Sequence, residues 1–147
     1  MIEKYLEEDM ISVNVNCIDW QEAIREGSKL LVAKKYVTST YEEAIINNFK
    51  TLGVYMVIKK GIVFAHSRPE DGVNKTALSL VTLNKPIFFG HEVNDPVTLV
   101  ITLATVDTES HIEMLEDLTK LLRKDKELKD IMKAMSKREV IDIIKGI

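Results

Sequence analysis

Apolar and polar positions alternate with a period of two along Ile11-Ser-Val-Asn-Val15, which predicts a strand, and a short amphipathic start (Ile2, Tyr5, Leu6) precedes it. From Asp19 the period lengthens to that of a helix whose apolar face is Ala23, Ile24, Leu30, Leu31 and Ala33, with Glu22 three residues after Asp19 as in a capping box. A second such signal, Ser39-Thr-Tyr-Glu42, predicts a helix that buries Ala44, Ile45 and Phe49 and stops near Gly53. Extended segments follow: Tyr55 to Ile58 and Gly61 to Ala65 around the turn Lys59-Lys60-Gly61, then Ala77 to Leu83 and Val97 to Val106. The last of these is apolar enough for the centre of a sheet covered on both faces. Ser110-His-Ile-Glu113 opens a helix with Met114, Leu115, Leu118, Leu121 and Leu122 on one side; Leu128, Ile131 and Met132 mark another, and Ser136 caps a last one carrying Val140, Ile141 and Ile144. Strands in the middle and helices at both ends predict an α/β fold: one mixed parallel/antiparallel β-sheet flanked by helices on both faces.

The size and composition narrow this picture. A chain of 147 residues, 46% hydrophobic, suits one domain spanning 1–147, and neither linker nor repeat interrupts it. Its 20 basic and 23 acidic side chains leave no strong field for a polyanion, which argues against nucleic acid as a partner. The start lacks the regions of a signal peptide, the lone Cys17 has no disulfide partner in the chain, and Val97 to Val106 falls short of the ~20 apolar residues of a spanning helix, so a cytoplasmic setting is expected.

Chemistry concentrates at the exit of the apolar strand, where Phe64-Ala-His-Ser-Arg-Pro-Glu-Asp-Gly-Val73 brings His66, Arg68, Glu70 and Asp71 together. Pro69 biases Arg68 towards extended angles, and an extended His66 to Arg68 places both side chains on one face. A neutral imidazole beside a guanidinium makes a phosphoryl acceptor with its charge screened. The plainer alternative is a structural strand-end histidine, with Arg68 in a surface ion pair with Glu70 or Asp71. His111, one residue past the expected cap Ser110, sits where a helix end welcomes a phosphate, or is simply an exposed first-turn residue. His91 reads as a solvated loop residue, and Cys17 as a small buried hydrophobe or a thiol activated by the helix that Asp19 opens. No spacing of zinc ligands, Walker loop, dinucleotide fingerprint or nucleophile elbow is present, and neither metal nor cofactor is expected.

Three blocks carry a resemblance that covers essentially the whole chain: Gly53 to Val73 with Lys75-Thr76, Asn94-Asp-Pro-Val-Thr-Leu99, and Ser110-His-Ile-Glu-Met-Leu115. They resemble enzyme IIA of the phosphotransferase system, in the mannitol-fructose superfamily (type 2), and most of all its ascorbate-type and galactitol-type branches. The resemblance implies that His66 takes a phosphoryl group at Nε2 from the carrier HPr and passes it to a cysteine of enzyme IIB, with the membrane enzyme IIC served indirectly. It implies that the residue at His111 helps hold the phosphoryl group, and that Arg68 and Ser67 are the candidate phosphate ligands. Ala65 and Ser67 stand where the family usually has proline and alanine, and Lys50 stands nearest the position of a pocket arginine in mannitol-type members. Two roles are compatible with this: transport, which the length and the start at Met1 suit, or a phosphorylatable regulatory module acting on a transcription factor or enzyme.

Overall fold

The computed structural model describes residues 2–147. Five strands, β1 (Ile11–Val15), β2 (Val57–Lys59), β3 (Ile62–Ala65), β4 (Ala77–Ile87) and β5 (Val97–Ala104), form one sheet in the order β1-β4-β5-β3-β2. β1 runs parallel to β4 and β3 parallel to β5, while the β4–β5 and β2–β3 pairs are antiparallel, so the sheet is mixed as expected. Around it lie α1 (Trp20–Ala33), α2 (Ser39–Leu52), α3 (Thr108–Leu122), α4 (Asp125–Lys133) and α5 (Lys137–Lys145). β5 holds the centre, and all its residues but Thr98 are buried, because helices cover both faces and alternation has nothing to expose.

The caps explain where most helices begin. Asp19 accepts from the Glu22 amide at 2.8 Å and Ser136 from the Glu139 amide at 3.1 Å, as their spacing predicts. Two expectations need correction. Ser39 is already the first residue of α2; Thr38 precedes it without a side-chain cap, and Glu42 pairs with Arg25 of α1 at 2.9 Å instead. α3 is capped by Asp107, which accepts from the Ser110 amide at 2.8 Å, so Ser110 lies inside the first turn and the helix starts earlier than the Ser110 signal implies. An aspartate three residues ahead of Ser110 simply offers a stronger acceptor to the free amides of the helix end. β4 also runs on to Ile87, beyond Leu83, whereas β5 ends at Ala104 and releases Thr105 and Val106 from the sheet. Tyr55 lies outside β2, in the bend that the Val57 amide closes on the Val54 carbonyl at 3.0 Å.

Layer spacing depends on one glycine. Gly27 of α1 rests on β4 and β5: its carbonyl accepts from Ser79 Oγ at 2.8 Å, and a Cβ there would stand 2.3 Å from Thr102 Oγ1. A methyl group at that point pushes the helix off the sheet. Gly27→Ala is expected to lower stability by about 1 kcal/mol or more, although alanine is the better helix former. An unshifted urea midpoint would show that the layer can give.

Candidate functional site

The site starts where β3 runs out of neighbours. The Phe64 amide donates to the Met56 carbonyl at 2.9 Å, so the backbone groups of Phe64 face β2 and those of Ala65 face β5. Beyond Met56 the chain bends away at Val54 and Tyr55, and no strand remains to pair with the Phe64 carbonyl. The His66 ring takes that carbonyl, with Nδ1 at 3.0 Å from the oxygen. A carbonyl only accepts, so Nδ1 carries the proton and Nε2 keeps a lone pair. Burial holds the His66 pKa below its usual 6.5 and the nearby His111 adds to this, while the Phe64 bond pulls the other way. The ring is therefore neutral and nucleophilic near neutral pH.

His66 opens on a cleft of about 530 Å³ between the β3 exit, the end of α2 and the start of α3. His111 faces it across the cleft, ring centroids 6.3 Å apart, and the Tyr55 ring stands edge-on to it at 6.1 Å. The two histidines that the sequence could not bring together thus converge. The buried Thr105 hydroxyl, at 3.4 Å from His111 Nδ1, steadies that second ring. Asp107 and Thr108, at the α3 N-terminus, complete the wall and turn the positive end of the helix towards it.

Arg68 and Ser67 also line the cleft, each with its polar group engaged. The Arg68 guanidinium lies 3.4 Å from Asp71 and 3.6 Å from Glu70, and at 72% side-chain exposure it is free to swing. Ser67 Oγ donates to Asp71 and accepts from Asn48 Nδ2 at 3.0 Å. The Asp71 carboxyl is held below the usual carboxylate range first by Ser67 and then by Arg68. Lys50 is exposed and does not reach the cleft; Asn48 and Leu52 are the α2 residues that do. Positions two apart on a helix point to opposite sides, which is why Asn48 and Leu52 face the cleft and Lys50 between them does not. Asn48, Tyr41 and Thr105 were not singled out in the sequence. A signal existed for Asn48 alone, which as a polar residue interrupts the apolar helical stripe of Tyr41, Ile45 and Leu52.

The other candidates lie elsewhere. His91 sits in the β4–β5 loop at the far end of the sheet and organises it, its Nδ1 accepting from the Asn94 and Val93 amides at 2.9 and 3.2 Å, which corrects the reading of a merely solvated residue. Burial, followed by Glu22, Glu26 and Asp19, pushes the Cys17 thiol up to about 11, the opposite of activation. Cys17 is accordingly expected to react with iodoacetamide far more slowly than free cysteine at neutral pH; labelling at the free-thiol rate would contradict this.

A half-buried neutral histidine that lines a cleft with one ring nitrogen tied to the backbone has the form that group transfer requires. The chain as a whole is similar to known proteins: the family described as "Phosphoenolpyruvate-dependent sugar phosphotransferase system, EIIA 2" matches residues 4–147. The chain is 40% identical over 139 residues, 94% of its own length and 90% of the relative's, to the ascorbate-specific PTS system EIIA component of Salmonella typhi. The solution structure of the mannitol-specific cryptic phosphotransferase enzyme IIA from Escherichia coli superposes with a TM-score of 0.91 at 34% identity, covering 100% of both chains. Enzyme IIA of mannitol, in its complex with phosphorylated enzyme IIB from Escherichia coli, superposes with a TM-score of 0.84 at 26% identity over 97% of this chain and 98% of that one. The chain belongs to the EIIA type 2 family and is a phosphotransferase component of the sugar phosphotransferase system. Among the described residues no helix is long and apolar enough to cross a membrane.

The depressed pKa of His66 has a measurable sign. Below pH 6.5 the unfolded chain binds a proton that the folded site refuses, so this contribution to stability is complete above 6.5 and is lost as pH falls through the folded value. Urea midpoints taken above and below pH 6.5 should drop on acidification, and drop less in His66→Gln. Equal drops would place the titration elsewhere.

Proposed function

We propose that His66 is the phosphoryl acceptor: Nε2 takes the group from the phosphohistidine of HPr and yields it to a cysteine thiolate of enzyme IIB, in the uptake of ascorbate or a related compound through a membrane enzyme IIC. The observation that carries this is the Nδ1 bond to Phe64, which leaves Nε2 as the nitrogen with a lone pair at the cleft. As the Nε2–phosphorus bond forms, the donor's nitrogen–phosphorus bond breaks and its electron pair returns to the donor ring. The His66 ring then bears positive charge, and the Phe64 carbonyl that holds the Nδ1 proton stabilises it. In the second transfer the thiolate forms the sulfur–phosphorus bond and the electron pair returns to Nε2, with Nδ1 protonated throughout.

His111, Arg68 and the α3 N-terminus are the electrostatic partners of the phosphoryl group. Arg68 reaches it by leaving Asp71 and Glu70, an exposed pairing that costs little to give up. Ser67 contributes only by giving up its bond to Asp71, which makes it the weaker ligand. Docking has a surface to use: Leu52, Tyr55, Val106 and Ile112 are exposed apolar side chains on or beside the cleft wall, an apolar rim on which HPr and enzyme IIB could dock in turn. The identity to ascorbate-specific components supports transport as the role of this domain, 1–147, over regulation, and supports a cytoplasmic location.

Incubation with phosphoenolpyruvate, enzyme I and HPr should add one phosphoryl group to the intact protein, lost under mild acid as expected of a phosphohistidine. His66→Ala should remain unlabelled. His111→Ala should keep its fold and label about tenfold more slowly or worse, the scale at which loss of one preorganised group is felt. Labelling of His66→Ala at the rate of the unsubstituted protein would end the proposal, and unchanged kinetics in His111→Ala would remove that residue from the mechanism.

A further inference from the structure

Tyr41 is fully buried in the first turn of α2, and its hydroxyl lies at the end of the β3–β5 ladder. It donates to the Leu103 carbonyl of β5 at 2.7 Å and accepts from the Ser67 amide at 3.0 Å. These two backbone groups are not an arbitrary pair. The last rung between the parallel strands joins Ala65 with Thr102, and the backbone groups of Ala65 face β5. One step further along such a ladder, the amide of residue 67 would bond the carbonyl of residue 103 directly. The phenol occupies that rung. It satisfies both groups while forcing them apart by the width of an oxygen, immediately after His66.

Other ties from the same helix secure the turn. Asn48 holds Ser67 Oγ, and the Thr38 amide donates to the Gly72 carbonyl at 2.9 Å. Gly72 has φ 131°, and a Cβ there would stand 2.2 Å from Thr38 Oγ1, so the turn is seated on the start of α2 with no room to shift. Burial pushes the Tyr41 hydroxyl up to about 12, which keeps it a donor over the working pH range.

We propose that the Tyr41 hydroxyl is a positioning group for phosphoryl transfer: inserted between Ser67 and Leu103, it prises the end of β3 off β5 and fixes the turn on which His66 presents Nε2 to the cleft. The proposal rests on His66 as acceptor for its kinetic consequence, while its geometric consequence stands without it. Tyr41→Phe keeps the ring and removes the wedge. Ring nitrogen shifts of His66 should then report a mixture of tautomers in place of Nδ1–H alone, and transfer from phospho-HPr should slow at least tenfold at saturating donor, with little change in the donor concentration for half-maximal rate. Ile45→Val loosens the same helix without touching the hydroxyl and should leave both readouts unmoved. Tyr41→Phe with an unshifted tautomer and rate, or Ile45→Val with an equal loss, would overturn the proposal. In the unsubstituted protein the Ser67 amide should exchange slowly with solvent, and exchange as fast as in an open loop would overturn it however Tyr41→Phe folds. If the unsubstituted protein takes no phosphoryl group on His66, the functional reading falls and the tautomer and exchange results still decide the role of Tyr41.

Discussion

A β-strand that outlasts its neighbours leaves carbonyls and amides with no ladder to join, and a buried backbone group without a partner costs about 1–3 kcal/mol. Much of the functional end of this molecule follows from how β3 meets that constraint. On its outer edge β2 turns away, and the freed Phe64 carbonyl is taken by the His66 ring. On its inner edge the ladder stops at Ala65, and the freed Leu103 carbonyl is taken by Tyr41. One substitution of partner sets the tautomer of the histidine; the other sets the course of the chain that carries it. The site is thus made by the termination of a sheet more than by any cluster of charges, which agrees with a chain whose basic and acidic residues nearly balance.

The same origin explains what could be read from the sequence and what could not. Strands and helices were legible because each writes its period into consecutive residues, and β5 could be placed centrally because burial on both faces abolishes alternation. Caps were legible where a single acceptor stood at the right spacing, as at Asp19 and Ser136. They were misread where two acceptors competed, as Asp107 did with Ser110. His66, Arg68 and His111 stood out as candidates in a contiguous block and a second motif, but their convergence belongs to the parallel pairing of β3 with β5, which no local pattern records. Tyr41 was invisible for a sharper reason. In sequence it is one more apolar position of a helix, and only the register of two strands elsewhere in the chain gives its hydroxyl two partners.

The acidic side chains near the cleft look at first opposed to handling a phosphoryl group. Asp71 is tied up, however: it accepts from the Ser67 hydroxyl, from the Arg68 amide and from the Arg68 guanidinium, so its charge is spent on holding the turn. In doing so it keeps a guanidinium beside the cleft with the side chain still exposed. The cation is held close but loosely, which suits the part proposed for it, engaging a phosphoryl group during one encounter and releasing it in the next.

Two opposed influences on His66 then acquire a meaning beyond their sum. Burial disfavours charge on the ring and keeps the resting nitrogen's lone pair free, whereas the Phe64 carbonyl favours charge on the ring. A relay needs both. The resting state must be neutral to attack, and the phosphorylated state must be positive enough on the ring to make Nε2 a good leaving group. Burial alone would leave the charge of a phosphorylated ring without a partner; the hydrogen bond alone would shift the resting ring towards its charged form. Placing a partly buried imidazole on a carbonyl that has lost its strand partner provides the two influences at once, with a rigid backbone dipole; with His66 as the proposed acceptor, this would tie the reversibility of transfer to the point at which the sheet ends.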